Sequence, residues 1–512
     1  MLPFVYTIDI EAPPPSLQDN TGDIDRLRRA LRAATGHSFQ VPFDCMGDIA
    51  AAFRRSGFQG AAVVCDLPEC PVLVDFLPEK PAVLPAVALD LGTTHLEASL
   101  INLVDGGKVL AGGNRENSQI EFGADILSRI HFAAKDGGLM MLHETIIETI
   151  NGLTRELAEK AGVGCGEIRA LSVSGNTTMV HLFLNLNPHH LIREPYTPLF
   201  NSVDPVPAKE VGIAIHPAAR VWIMPSIGSY FGGDLISGIL ASDMDRQAET
   251  SMLIDVGTNA EVVIGNSEWL IACAGAAGPA LEGGVARMGM RAGPGAIEHV
   301  TIDPETLALR YRTIDGGRPC GICGSGIIDL VASFYLARII DIRGKFKKDR
   351  CPGRMIETGE GLGFVVAPAD ESANNEPVVI SQVDLDAMMR SKAAMYSILT
   401  TLINQVGFDF ADLHRIFVAG AFGRHIDPRQ AITLGMLPDL PLSVFQPIGN
   451  SSLAGAELVL LDRKSRERCR SVMAKITYLE LNVNQEFMIR FSGSRFIPHT
   501  DTALFPSVPV FD

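Results

Sequence analysis

Val87-Ala-Leu-Asp90-Leu-Gly92-Thr93-Thr94 is an apolar strand ending in one carboxylate, one glycine and two hydroxyls, and after His95 a second apolar run, Leu96-Glu-Ala-Ser-Leu100, follows. The pattern returns about 165 residues later as Leu253-Ile-Asp255-Val-Gly257-Thr258-Asn259, running into Glu261-Val-Val-Ile264. Each stretch predicts a β-hairpin with a phosphate-binding turn. Glycine lets backbone N–H groups approach a phosphate, hydroxyls donate to it, and the aspartate holds Mg²⁺ directly or through water. One such turn is weak evidence. Two predict a pair of similar lobes closing on one nucleotide.

Between the turns lies Gly232-Gly-Asp234-Leu-Ile-Ser-Gly-Ile-Leu-Ala241, whose small residues at helical spacing permit a close helix crossing. Asp234 falls in the first turn of that helix, where a carboxylate can orient water toward a γ-phosphate. Gly449-Asn-Ser-Ser-Leu-Ala-Gly-Ala456 opens a second helix of the same kind, and two such helices crossing between lobes make a hinge. Strands Ile168–Ser174 and Arg415–Ala419 each end in a polar or glycine turn, Gly175-Asn176-Thr177 and Gly420-Ala421-Phe422-Gly423. In an open α/β sheet such strand ends are where ligands bind.

At 512 residues the chain is too long for one core. The expected division is a small α/β domain over 1–82, one lobe over 83–249, a second over 250–445, and a returning helix with a carboxy-terminal extension over 446–512. Within the first, helices are predicted from Thr21 to Gly36 and over Met46–Arg55, then a strand over Gly60–Val64. Arg26, Arg28, Arg29 and Arg32 read as a solvated basic face. Lys and Arg total 43 against 59 Asp and Glu, a net charge of −16, which argues against non-specific binding to nucleic acid or anionic membrane. The start lacks the basic segment of a signal peptide, and no uninterrupted apolar run is long enough to span a bilayer. A soluble cytoplasmic protein is expected. Nine scattered cysteines, an odd count, point to reduced thiols. Cys65 and Cys70 lack the two further closely spaced cysteines of a plant-type cluster, and Cys320-Gly-Ile-Cys323 sits in a glycine-rich turn, so packing roles are expected for all four.

The order of phosphate turn, Asp-bearing helix, second phosphate turn, glycine turn and second small-residue helix resembles the superfamily of actin, Hsp70 and the sugar kinases, the ASKHA fold, over about residues 86–460. The resemblance implies that Asp90, Gly92, Thr93, Thr94, Gly257, Thr258 and Asn259 cradle phosphates. It implies Asp90 and Asp255 as the Mg²⁺ ligands and Gly420, Ala421 and Gly423 against the nucleoside of ATP. A narrower likeness is carried by Glu121-Phe-Gly-Ala-Asp-Ile-Leu-Ser-Arg-Ile130, Ser174-Gly-Asn-Thr-Thr-Met179, Gly321-Ile-Cys-Gly-Ser-Gly-Ile-Ile-Asp329, Gln485-Glu-Phe-Met488 and Phe496-Ile-Pro-His-Thr-Asp501. These runs resemble the reductive activators of corrinoid-dependent methyltransferase systems, which adds Gly324 and Ser325 to the expected ATP contacts. The likeness implies an ATPase, a corrinoid protein as partner and a homodimer.

In that family the ATPase accompanies an iron–sulfur domain that reduces cob(II)alamin to cob(I)alamin. This sequence shows no cysteine cluster for it, so either that module is missing here or an external donor supplies the electron. Three other readings share the fold, since fold does not fix function. A small-molecule kinase would use Asp234 as base, and a chaperone or scaffold would carry a peptide-binding or polymer-forming part. A dehydratase-type activator would bridge a cluster between subunits, with Cys273 and Cys323 as candidate ligands.

Overall fold

The computed structural model describes residues 1–257, 259–275, 286–290, 292–359, 361–481 and 484–511. The amino-terminal part runs β1 (Val5–Glu11), α1 (Asp23–Thr35), α2 (Met46–Arg55), β2 (Gln59–Cys65) and β3 (Val72–Leu77), its strands pairing antiparallel in the order β1-β2-β3. Gly36 ends α1 at a φ of 77°, a conformation that favours a residue without Cβ. The expected cap from Thr21 is not made: Gly22 is the N-cap, and the Thr21 hydroxyl donates to Asp19 instead (2.6 Å). Arg26 also departs from the expected solvated face. It is buried, paired with Asp19 at 2.7 Å and bonded to the Pro13 carbonyl.

The first large sheet comprises β4 (Pro85–Leu91), β5 (His95–Asn102), β6 (Lys108–Glu116), β7 (Ala170–Gly175), β8 (Val206–Pro207) and β9 (Arg220–Ile223). Its helices are α3 (Ile126–Ala133), α4 (Gly138–Ala161), α5 (Thr177–Phe183) and α6 (Gly233–Ser242). The strand order is β6-β5-β4-β7-β9-β8: β4, β5 and β6 form an antiparallel meander, and β7 and β9 add in parallel on the far side of β4.

The second large sheet repeats this plan with β10 (Ser251–Val256), β11 (Ala260–Gly265) and β12 (Leu270–Gly275) as the meander. Two three-stranded sheets are inserted next, β13 (Ala296–Ile302), β14 (Leu309–Thr313) and β15 (Gly321–Ile322), then β16 (Met355–Thr358), β17 (Gly361–Ala367) and β18 (Val378–Ser381). Around them lie α7 (Gly324–Leu336) and α8 (Gln382–Gln405). β19 (Arg415–Ala419), α9 (Gly420–His425), α10 (Pro428–Leu434) and β20 (Phe445–Gly449) follow, with β19 parallel to β10 and β20 parallel to β19. The chain closes with α11 (Ser451–Leu461), α12 (Arg463–Lys475), β21 (Ile476–Tyr478), which pairs with β12, and α13 (Gln485–Ser494). Two sheets in which strands 1, 2 and 3 form a meander and 4 and 5 add in parallel beside strand 1 are one plan used twice.

Two compact units result, Met1–Ala241 with Ser451–Ala474 and Ser242–Asn450 with Lys475–Asp512. In the first, the small sheet shares a core with the large one: Phe4, Leu27, Phe53 and Val74 join Ala86, Ala88 and Ile101, with Leu460 of α11. The second has its own core, built from Ile254, Val262, Ile328, Phe334, Leu399 and Val418 among others. Inside the first unit α6 and α11 touch at backbone distance, as their small residues predict: a Cβ on Gly455 would stand 2.3 Å from Ser237 Cα. Gly455→Ala is therefore expected to destabilise that unit by about 1–3 kcal/mol through overpacking, read as a lower thermal midpoint. An unchanged midpoint would contradict the close crossing. Among the described residues, no helix is long and apolar enough to cross a membrane.

Candidate nucleotide site

Asp90 is the penultimate residue of β4, paired in register with Ser174 of the parallel strand β7. The chain then reverses at Gly92, where a Cβ would fall 2.2 Å from the His95 carbonyl oxygen, so only glycine makes this turn. A phosphate would be repelled by the turn's carbonyl oxygens, and each of them already has a donor. Asn117 Nδ2 donates to Gly92 O (2.9 Å), the Arg129 guanidinium to Thr93 O (2.7 Å), and the Asn117 backbone N–H to Thr94 O (2.9 Å). Asn176 caps α5 through the Met179 N–H and donates to Thr93 Oγ1 at 3.0 Å. Arg129 is wholly buried, also bonding Gly123 O and Gln119 Oε1, and places a cation beneath the turn. These features suit an anion at Gly92-Thr93-Thr94.

Asp234 stands in the first turn of α6, half-buried, with one carboxylate oxygen accepting the Leu235 N–H (2.9 Å). A Cβ on Gly232 would stand 2.3 Å from Asn176 Cα and 2.6 Å from Asp234 Oδ1, so two glycine-permitted contacts bring this carboxylate beside the first turn. Burial pushes its pKa up to about 6. The Leu235 N–H opposes that rise, and the negative charge of Asp90 adds to it. Asp90 itself accepts a hydrogen bond from Ser452 Oγ of α11 at 2.7 Å. The first unit thus gathers Asp90, Gly92, Thr93, Thr94 and Asp234 as one constellation.

In the second unit Asp255 holds the equivalent position, penultimate in β10 and in register with Ala419 of parallel β19. The Gly257 N–H donates to Asn259 O (2.9 Å) in the turn, while Thr258 lies outside the described residues. Gly420 adopts a φ of 70°, and a Cβ there would come within 3.0 Å of Asp255 Oδ1. Gly423 in turn lets α9 approach the Val418 carbonyl to a distance a Cβ would close to 2.2 Å. Asp255, Gly257, Asn259, Gly420 and Gly423 are therefore neighbours; the side chain of Ala421 is outside the described set. Gly324 and Ser325 begin α7, which packs beside α9. The Ser325 hydroxyl is buried and donates to Glu298 O (3.0 Å).

Magnesium commonly takes one or two carboxylates and completes its shell with water and phosphate; Asp90 in the first unit and Asp255 in the second are each a carboxylate at a strand end beside a glycine turn. An iron–sulfur cluster does not fit the described thiols. All nine cysteines are free, and among the described residues no three His, Cys, Asp or Glu side chains gather as a metal-ligand set. Cys65 and Cys273 are fully buried in strands, where burial pushes their thiols up. Cys323 is buried as the N-cap of α7, with its Sγ 3.3 Å from Ile297 O.

Ser452, Ser174, Asn117 and Arg129 were not singled out as site residues by the sequence, although three of them lie in runs that it marked. Polar small residues facing the end of an Asp-bearing strand were the available signal.

The duplicated sheet, with an Asp-x-Gly-Thr turn at the end of strand 1 in each copy, defines the ASKHA class. Within that class the chain belongs to the RACo family. It matches the models of the RACo linker region over residues 1–79, the RACo middle region over 85–247, and the C-terminal domain of RACo, the ASKHA domain, over 249–509. It is similar to a corrinoid activation enzyme, RamQ, of Eubacterium limosum, with 32% identity over 81% of this chain and 71% of the relative. It also resembles the [Co(II) methylated amine-specific corrinoid protein] reductase of Methanosarcina barkeri, with 26% identity over 76% of this chain and 72% of the relative. Among solved structures, a reductive activator for corrinoid, iron–sulfur protein superposes with a TM-score of 0.90 and 39% identity, covering 99% of this chain and 81% of that one.

Proposed function

We propose that this chain is the ATPase part of an ATP-dependent reductive activator of a corrinoid protein, returning its cobalt from Co(II) to Co(I) with one electron from an iron–sulfur domain that lies outside this sequence or on a separate protein. The observation that carries the reading is the 39% identity, over almost the whole chain, to a reductive activator of known structure. The separate constellations around Asp90 in the first unit and Asp255 in the second support the ATP part.

Bound ATP–Mg²⁺ supplies the free energy of phosphoanhydride cleavage. In the first unit Asp90 would hold the metal and Gly92-Thr93-Thr94 would receive phosphate; in the second, Asp255 and Gly257-Thr258-Asn259 would take the same roles, and Gly420, Ala421 and Gly423 would lie against the nucleoside. Asp234 accepts a hydrogen bond from the attacking water as the bond from the γ-phosphorus to the bridging oxygen of ADP breaks. Reduction of a Co(II) corrinoid by an ordinary donor is uphill, by about a tenfold factor in equilibrium for each 59 mV. A nucleotide assists only by favouring one conformation over another. In this reading the ATP-bound form grips the corrinoid protein in the conformation that accepts the electron, and hydrolysis releases it. We further propose that the chain works as a cytoplasmic homodimer, to be checked by sedimentation.

Two measurements test these roles. Sedimentation with a corrinoid protein held as Co(II) should give a complex whose affinity shifts at least severalfold on adding ATP; no complex in either condition would overturn the partner assignment. Asp234→Asn should lower kcat for ATP by about 10²–10⁴-fold and change nucleotide affinity far less, because a water-orienting carboxylate acts mainly in the transition state. The ionised carboxylate is the working form, so with its pKa raised to about 6 the wild-type kcat/KM should fall as the pH drops through 6. The Asn variant should lack that limb. An identical acid limb in both proteins would remove Asp234 from the role.

A further inference from the structure

Three buried serines form a connected series that ends on Asp90. Ser452 Oγ in the first turn of α11 lies 2.7 Å from Asp90 Oδ1 and 2.9 Å from Ser174 Oγ of β7, which is 2.8 Å from Ser237 Oγ of α6. All three are almost wholly shielded from solvent. A hydroxyl has one hydrogen to donate, whereas an ionised carboxylate only accepts. Ser452 Oγ is the donor facing both Asp90 Oδ1 and Ser174 Oγ, and Ser174 shares a bond with Ser237 in which either hydroxyl can donate, so the two serines behind Ser452 hold its side chain against the carboxylate.

The same helix is tied to the same sheet by two hydroxyls that do not reach Asp90. Ser172 Oγ donates to Ala456 O (2.7 Å), and Ser99 Oγ donates to Glu457 Oε1 (2.5 Å). Docking of α11 and contact with Asp90 are therefore separable. From this geometry we propose that Ser452, backed by Ser174 and Ser237, is a positioning residue for the metal-binding carboxylate Asp90. The series fixes the rotamer of Asp90, and so sets how readily the site takes Mg²⁺. The inference rests on the reading of the Asp90 turn as the ATP–Mg²⁺ site.

The test titrates ATP turnover with Mg²⁺ in Ser452→Ala, Ser237→Ala, Ser172→Ala and Asp90→Ala, alongside thermal midpoints and binding of a fluorescent ATP analogue in EDTA. Ser452→Ala should need roughly tenfold more Mg²⁺ for half-maximal turnover, the scale of one charge-assisted hydrogen bond, with metal-free nucleotide affinity within about twofold of wild type. Ser237→Ala, at the far end of the series, should shift in the same direction by less, and it tests the idea even if Ser452→Ala folds poorly. Ser172→Ala should keep the wild-type Mg²⁺ requirement. A wild-type requirement in both Ser452→Ala and Ser237→Ala, or an equal shift in Ser172→Ala, would overturn the inference. Asp90→Ala separates the two levels. If it retains Mg²⁺-dependent turnover, the assignment of the site itself fails; if it loses turnover while the serine variants match wild type, only the serine inference fails.

Discussion

Replacing Asp90 or Asp255 by alanine is expected to reduce Mg²⁺-dependent ATP turnover by about 10²–10³-fold or more, the usual scale for removing one group that stabilises transition-state charge. The two residues occupy equivalent places, each penultimate in strand 1 of its sheet and each beside a parallel strand 4. Each should therefore be needed by itself. The fold should survive. Asp90 lies at a strand end, and alanine is smaller than the side chain it replaces, so far-ultraviolet circular dichroism and the thermal midpoint should change little. Turnover near wild type in both folded variants would mean that the nucleotide, if bound, is held elsewhere.

The strand–turn–strand units were legible because their signal is local: alternating apolar residues, then a carboxylate and a glycine whose φ or close contact the chain needs. The same holds for α6 and α11, whose small residues foretold contact at backbone distance, realised at Gly455 and Ser237. Arg26 was misread because a run of arginines along α1 looks uniformly solvated, whereas Asp19 and the Pro13 carbonyl, outside the helix, draw this one inward. Arg129 lies in the Glu121–Ile130 run, but spacing does not distinguish a surface cation from one buried beneath a turn. The series Ser237, Ser174, Ser452 and Asp90 was illegible for a stricter reason. Its members lie up to 362 positions apart, and only the pairing of β4 with β7 and the seating of α6 and α11 align them. The small inserted sheets β13-β14-β15 and β16-β17-β18 are likewise not legible in the sequence, because they interrupt the repeated plan without repeating it.

The second large effect concerns the electron. With an external one-electron donor present, the corrinoid partner's cobalt is expected to pass from Co(II) to Co(I) only when this chain and ATP–Mg²⁺ are both added. The donor alone is opposed by the potential difference, and ATP alone carries no electron. A folded Asp255→Ala protein should behave as if ATP had been left out, which ties the cobalt readout to the nucleotide site and separates it from mere contact between the proteins. Asp234→Asn should slow the appearance of Co(I) in repeated cycles more than in the first, since release of the partner is the step assigned to hydrolysis. The kinase reading makes the opposite forecast: phosphorylated small-molecule product from a substrate panel and no effect on cobalt.

The most direct measurement is an anaerobic visible spectrum of the corrinoid protein, followed over time as ATP is added to a mixture of that protein in its Co(II) state, this chain, Mg²⁺ and a chemical reductant. The account predicts that the Co(II) bands persist until ATP is added and then give way to those of Co(I), and that they persist throughout with Asp90→Ala. Reduction at the same rate without ATP, or without this chain, would contradict it.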